Sequence, residues 1–158
     1  MPEIKRLING QDIMPATITG SNVASNTLSN SQIGLAASAS NSVTTAVTTT
    51  STTAYSTVNS LSFTPTKTGK VLVIARLIVN NNTAGDGVSV ELLNGSTVID
   101  GQYTLISSSA SQNQSVTLMA LLTGLTVGTA ITLSTSIEAV TGGTASATGI
   151  LVAMELLA

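Results

Sequence analysis

Along the second half of the chain, apolar and polar positions alternate with a period of two. Val71, Val73, Ala75, Leu77 and Val79 share one face of an extended segment, the pattern of a strand. Leu72, Ile74 and Ile78 make the opposite face apolar as well, interrupted only by Arg76. A strand apolar on both faces needs cover on both, so one side is expected to meet the core and the other a subunit. The alternation returns at Val88, Val90 and Leu92, across about 97–106, at Val116, Leu118, Ala120 and Leu122, and at Ile131, Leu133, Thr135 and Ile137. It returns again at Ile150, Val152, Met154 and Leu156, and a looser version runs from Tyr55 to Phe63. Turn chemistry separates these runs. Pro65 and Gly69 bracket one turn, the Asn-rich run from Asn80 to Gly87 makes a loop, and Asn94-Gly95 is a two-residue hairpin signal. Ser107 to Gln114, Gly124 to Gly128 and Thr141 to Thr144 supply the others. The prediction is an all-β head of seven or eight strands, a jelly roll or β-sandwich, over residues 54–158. The closing strand carries Glu155 as its one charge and is expected at the centre of a sheet or at a trimer axis rather than at an edge.

The first part of the chain follows another rule. Residues 7–36 divide into three decamers, with Ile8, Ile18 and Leu28 at one position and Ile13, Val23 and Ile33 at another. Gly10, Gly20 and Asn30 share a third. The spacing is not helical, and Gly, Pro15 and Asn interrupt it. Short repeats cannot bury their apolar side chains alone, so residues 1–36 are expected to be an extended arm laid on a partner or on sister arms. Residues 37–53 are almost wholly Ala, Ser, Thr, Val and Asn. They are expected to be a connector, either flexible or extended, since the run from Val43 to Thr53 is dominated by β-branched residues.

Composition narrows the function. The chain has 158 residues, 42% hydrophobic and only 8% charged, and no charge falls between Asp12 and Lys67. Low charge with high apolar content suits a surface covered by copies of itself or by a scaffold. A net charge of −2 and the lack of a basic patch argue against nucleic acid. The beginning of the chain lacks the apolar run of a secretory signal. The apolar stretch from Val71 to Val79 is too short to span a bilayer. Synthesis in the cytoplasm without membrane insertion is the expectation.

Two parts of the sequence carry a resemblance. Thr17-Ile-Thr-Gly-Ser-Asn-Val-Ala resembles the Gly-Thr-Ile-Thr-Gly-Ser repeats of fibre and appendage proteins of tailed bacteriophages. The region from Phe63 resembles trimeric jelly rolls of the tumour-necrosis-factor and complement-globular-head type. It is carried by Phe63-Thr-Pro65, by Gly69-Lys-Val-Leu-Val, by Val90-Glu-Leu-Leu-Asn-Gly and by the hydrophobic last strand. The resemblance implies a homotrimer on a virion, with an arm that attaches and a head that faces outward. On that basis the chain is expected to be a bacteriophage structural protein, a capsid decoration or head-fibre protein whose partners are itself and the major capsid protein or another virion protein. The arm anchors would be Ile8, Ile13, Ile18, Val23, Leu28 and Ile33. Leu72, Ile74, Arg76, Ile78, Met154 and Leu156 are the candidate trimer interface. The alternative is a tail-fibre or receptor-binding tip whose partner is a host surface receptor.

Catalytic chemistry is poorly supplied. With no His and no Cys, the usual acid–base groups, thiolates and metal ligands are missing, and no cofactor is expected. The carboxylates Asp86, Glu91, Asp100, Glu138 and Glu155 show no diagnostic spacing. A polysaccharide hydrolase would need two of them to meet in space, and it is the least supported reading. Asn80, Asn82 and Asp86 could offer oxygens to calcium, but a turn rich in residues tolerant of left-handed backbone explains them better. Arg76 either pairs with Glu91, Glu138 or Glu155 across a subunit interface or points to solvent.

Overall fold

A computed structural model of the chain describes residues 36–104 and 109–157, with backbone alone for 102–104. Among these residues there are eight strands: β1 (Ser38–Thr49), β2 (Ser56–Phe63), β3 (Val71–Asn81), β4 (Val88–Asn94), β5 (Thr97–Thr104), β6 (Gln114–Leu122), β7 (Ile131–Ala139) and β8 (Ala145–Glu155). All the pairings are antiparallel. The chain is a long ribbon folded at its middle: β4 pairs with β5 at the tip, then β3 with β6, β2 with β7 and β1 with β8. Rolling the ribbon adds the contacts β3–β8 and β4–β7. Two four-stranded sheets result, sheet I in the order β1-β8-β3-β6 and sheet II in the order β2-β7-β4-β5. This is the jelly-roll arrangement of eight strands in two facing sheets.

The core between the sheets is aliphatic, as the shortage of aromatic residues requires. Val71, Val73, Ala75, Leu77 and Val79 are wholly buried on β3, facing Val88, Val90, Leu92, Leu133 and Ile137 of sheet II. Phe63 is the single buried aromatic among the described residues. The two long seams of the sandwich are each closed by a side chain. Asn41 Nδ2 on β1 donates to the Ser60 carbonyl on β2 at 2.7 Å. Across the other seam, the Met119 N–H on β6 donates to Asp100 Oδ2 on β5 at 2.9 Å.

The Ser/Thr/Ala-rich stretch 37–53, expected as a connector, supplies β1, and the compact unit runs from Ala36 rather than from residue 54. Its polar residues suit an edge strand: most of its side chains are at least partly exposed, while β8 supplies the hydrogen bonds. Strand β8 starts at Ala145, five residues ahead of the expected Ile150. The reason is close packing: a Cβ at Gly149 would lie 2.3 Å from the Arg76 carbonyl oxygen and 2.6 Å from Leu77 Cδ2. Small residues there carry no hydrophobic alternation to read. The closing strand is central in sheet I, as its composition implies. The β4–β5 hairpin forms, but Asn94 pairs with Thr97, so the turn residues are Gly95 and Ser96. Gly95 takes φ 61°, the position at which a type II′ turn requires Gly.

Candidate functional site

The sandwich has two unlike outer faces. On sheet II the outward positions keep the polar half of the alternation: Ser60, Ser62, Thr132, Ser134, Glu91 and Glu138. The Tyr55 hydroxyl reaches over this face and hydrogen-bonds Ser89 Oγ. Burial pushes the Glu91 carboxyl above its usual range; a hydrogen bond from Tyr55 opposes this and the charge of Glu138 adds to it. The surface is solvated and acidic.

The outer face of sheet I breaks the rule. Its rows follow from register. Ser38, Met154, Leu72 and Leu121 lie side by side across the sheet. The next row is Ser40, Val152, Ile74 and Met119, and the third is Ser42, Ile150, Arg76 and Thr117. Met119 is 61% exposed, Leu121 58% and Ile78 41%, so the uncovered surface is made by large apolar side chains. Antiparallel sheets with one wet face normally place polar residues there, and an apolar patch of this kind marks an interaction surface.

Of the candidate interface residues, the structure brings Leu72, Ile74, Arg76, Ile78 and Met154 onto this one face. Leu156 follows just past the end of β8, where its N–H donates to the Lys70 carbonyl at 2.8 Å. Met119, Leu121, Ile150 and Val152 belong to the same face and were not singled out. The signal for the first two was present, because Val116–Leu122 is apolar on both faces at its C-terminal end, as β3 is. The arm anchors Ile8, Ile13, Ile18, Val23, Leu28 and Ile33 lie outside the described residues.

Arg76 is exposed, and its Nε–H donates to Ser115 Oγ at 3.2 Å. It borders a shallow groove of about 430 Å3 lined also by Ser42, Val43, Thr44, Ile78 and Ile150. The groove arises where β1 slips register against β8 between Val43 and Val47. Glu155 is no partner for Arg76. It is buried at the other side of β8, in the loop 64–70. Its Oε1 accepts the N–H groups of Lys67 at 2.8 Å, Thr68 at 2.7 Å and Gly69 at 3.2 Å. Its Oε2 accepts the Thr66 N–H at 2.8 Å and the Thr66 hydroxyl at 3.0 Å. Burial by itself would raise its pKa, but the backbone N–H groups of Thr66, Thr68, Lys67 and Gly69 outweigh it and hold the carboxyl far below the usual range. Gly69 makes the loop possible: its φ is +64°, and a Cβ there would sit 2.1 Å from the Leu125 carbonyl oxygen.

The Asn-rich loop is a clasp. Buried Asn81 donates from Nδ2 to the Gly142 carbonyl at 2.9 Å and the Gly87 carbonyl at 3.2 Å. Asn82 Oδ1 accepts the Thr144 N–H at 2.7 Å, and Asp86 Oδ1 accepts the Thr141 hydroxyl at 2.7 Å. Asn80 Nδ2 donates to Asn113 Oδ1 at 2.7 Å. These side chains tie the β3–β4 loop to its neighbours. Among the described residues no three of His, Cys, Asp and Glu are grouped to hold a metal ion, and no helix is long and apolar enough to cross a membrane.

The strand order and the one-sided sandwich invite comparison with known folds. No protein-family model matches the sequence. No curated protein sequence matches it either. Solved structures do. Infectious bursal disease virus, Gx strain, superposes with a TM-score of 0.53 over 75% of this chain at 13% identity. The VP2 subviral particle of infectious bursal disease virus superposes at 0.52, also over 75% of this chain, at 10% identity. The fold is that of a viral jelly roll. The chain spans about a third of the length of these matches, 32% in both cases. A cyclase from Fischerella sp. TAU aligns at a TM-score of 0.42 over 58% of this chain, too low to bear on the fold or the function.

Proposed function

We propose that this chain is a structural protein of a virion, made in the host cytoplasm. In this reading it is a bacteriophage capsid decoration or head-fibre protein that acts as a homotrimer. The observation that carries the reading is the broad apolar outer face of sheet I on a jelly roll of viral type. Such a face is built for permanent contact with protein. Its work is binding, not catalysis, and the scattered, hydrogen-bonded carboxylates support that. The arm 1–36, with apolar anchors from Ile8 to Ile33, would fasten the particle side, each fully buried anchor contributing roughly 1.5–3 kcal/mol before entropy is subtracted. Several arms on one assembly would make release slow through avidity.

The test is retention. Purified full chain is mixed with empty capsids and, separately, with host cells. Retention on capsids and loss of retention when residues 1–35 are removed are the expected results. Retention on cells alone would replace this reading with a receptor-binding tip acting through the loops of the head. Retention on neither would leave the virion reading without support.

A further inference from the structure

The apolar face of sheet I carries cationic side chains and no carboxylate among its described residues. Arg76 lies within it and Lys70 at its end, both exposed. An isologous contact, in which this face packs on its own copy, would set two like patches together with nothing to answer Arg76. The acid that answers it must come from elsewhere on the surface.

Five carboxylates belong to the described residues. Glu155 is enclosed by the loop 64–70. Asp86 is held by Thr141. Glu91 and Glu138 stand in the Ser- and Thr-rich face of sheet II, which offers an apolar partner little to bury. Asp100 differs. It sits at the β5–β6 seam, where Oδ2 accepts the Met119 N–H at the free edge of β6. Its surroundings include exposed apolar side chains: Val98 is 49% exposed, Met119 61% and Leu121 58%. The seam is thus an apolar ridge with one acid, and the outer face of sheet I is an apolar surface with a cation. The carboxylate also occupies a main-chain donor of the β6 edge, which disfavours strand-to-strand pairing there and favours contact through side chains.

We infer that the outer face of sheet I of one copy receives the β5–β6 seam of a second copy, with Arg76 paired to the neighbour's Asp100. The contact is heterologous, each copy using a different surface on either side, so repetition closes a cyclic assembly. This deepens the reading given under Proposed function and rests on its self-association: it assigns the two surfaces and the charge pair that sets their orientation.

The test is a charge exchange in the full chain, read by light scattering across a dilution series, with thermal melts to show that each variant folds. Arg76→Glu and Asp100→Arg should each weaken the assembly by about tenfold or more, and the double exchange should recover most of that loss. Asp100→Asn keeps an oxygen for the Met119 N–H but loses the charge, and it should weaken the assembly while leaving the melt unchanged. If either exchange leaves the mass at every dilution as in the parent, or if the double variant is no better than the singles, the pairing is wrong. A parent chain that is monomeric throughout would sink the self-association reading as well. An assembled parent indifferent to the exchanges would sink this inference alone.

Discussion

At the residue scale, the structure's most demanding side chain is Glu155. A carboxylate accepting four backbone N–H groups in the loop 64–70 cannot be replaced by Gln without turning an amide donor toward donors. Glu155→Gln is expected to lower stability by about 2–3 kcal/mol near neutral pH, measured by chemical denaturation. The pH dependence follows from the sign of the shift. The folded-state pKa lies below the ordinary 4.5, so the stabilisation is fully present above that value. It is lost as pH falls below it and through the folded pKa, at about 1.4 kcal/mol per pH unit. Denaturation curves between pH 3 and 7 should show that slope in the parent and not in Glu155→Gln. Thr135 makes the opposite case. Its hydroxyl is buried without a hydrogen-bond partner, opposite Asn59, whose amide is also unpartnered. Thr135→Val keeps the shape and removes an unpaired polar atom, so it should raise stability by about 1 kcal/mol, visible as a higher denaturation midpoint.

At the element scale, the informative strand is β1. Its sequence reads as low complexity, because apolar residues are few and the hydrogen bonds come from a strand more than a hundred positions later. Local pattern cannot report a partner that distant. The head therefore has a sharp N-terminal limit. A chain starting at Ala36 should fold, while one starting at residue 54 loses β1, leaves β8 with a bare edge in sheet I and exposes part of the core. Circular dichroism melts of the two truncations check this: a cooperative transition is expected from the first and not from the second. The turn between β4 and β5 teaches the same lesson on a smaller scale. Asn94-Gly95 announces a hairpin correctly, but the register set by β5 places the turn on Gly95 and Ser96.

At the scale of the whole molecule, the outer face of sheet I dominates. Its side chains add little to the stability of a single chain because they are exposed. Changing Met119 and Leu121 together to Gln should alter the melting behaviour by no more than about 0.5 kcal/mol per site, while removing self-association in light scattering. A large loss of stability with assembly intact would mean that these residues serve the fold and not a partner. The carboxylates point the same way: Glu155 and Asp86 hold loops, Asp100 closes a seam, and Glu91 with Glu138 marks the wet face.

The amino-acid sequence alone determined the all-β class, the positions of most strands and the two-faced apolar character of β3, because period-two alternation and turn residues are local properties. It also placed β8 at the centre of a sheet, since a strand nearly without charge makes a poor edge. Tertiary structure decided the rest. Only the pairing of distant strands shows that residues 38–49 belong to the head. Only the register across β8, β3 and β6 merges Leu72, Ile74, Met119, Leu121, Val152 and Met154 into one surface. Only the fold turns Glu155 inward into a ring of backbone donors and leaves Arg76 outside. A surface is a property of several strands at once, and no single stretch of sequence contains it.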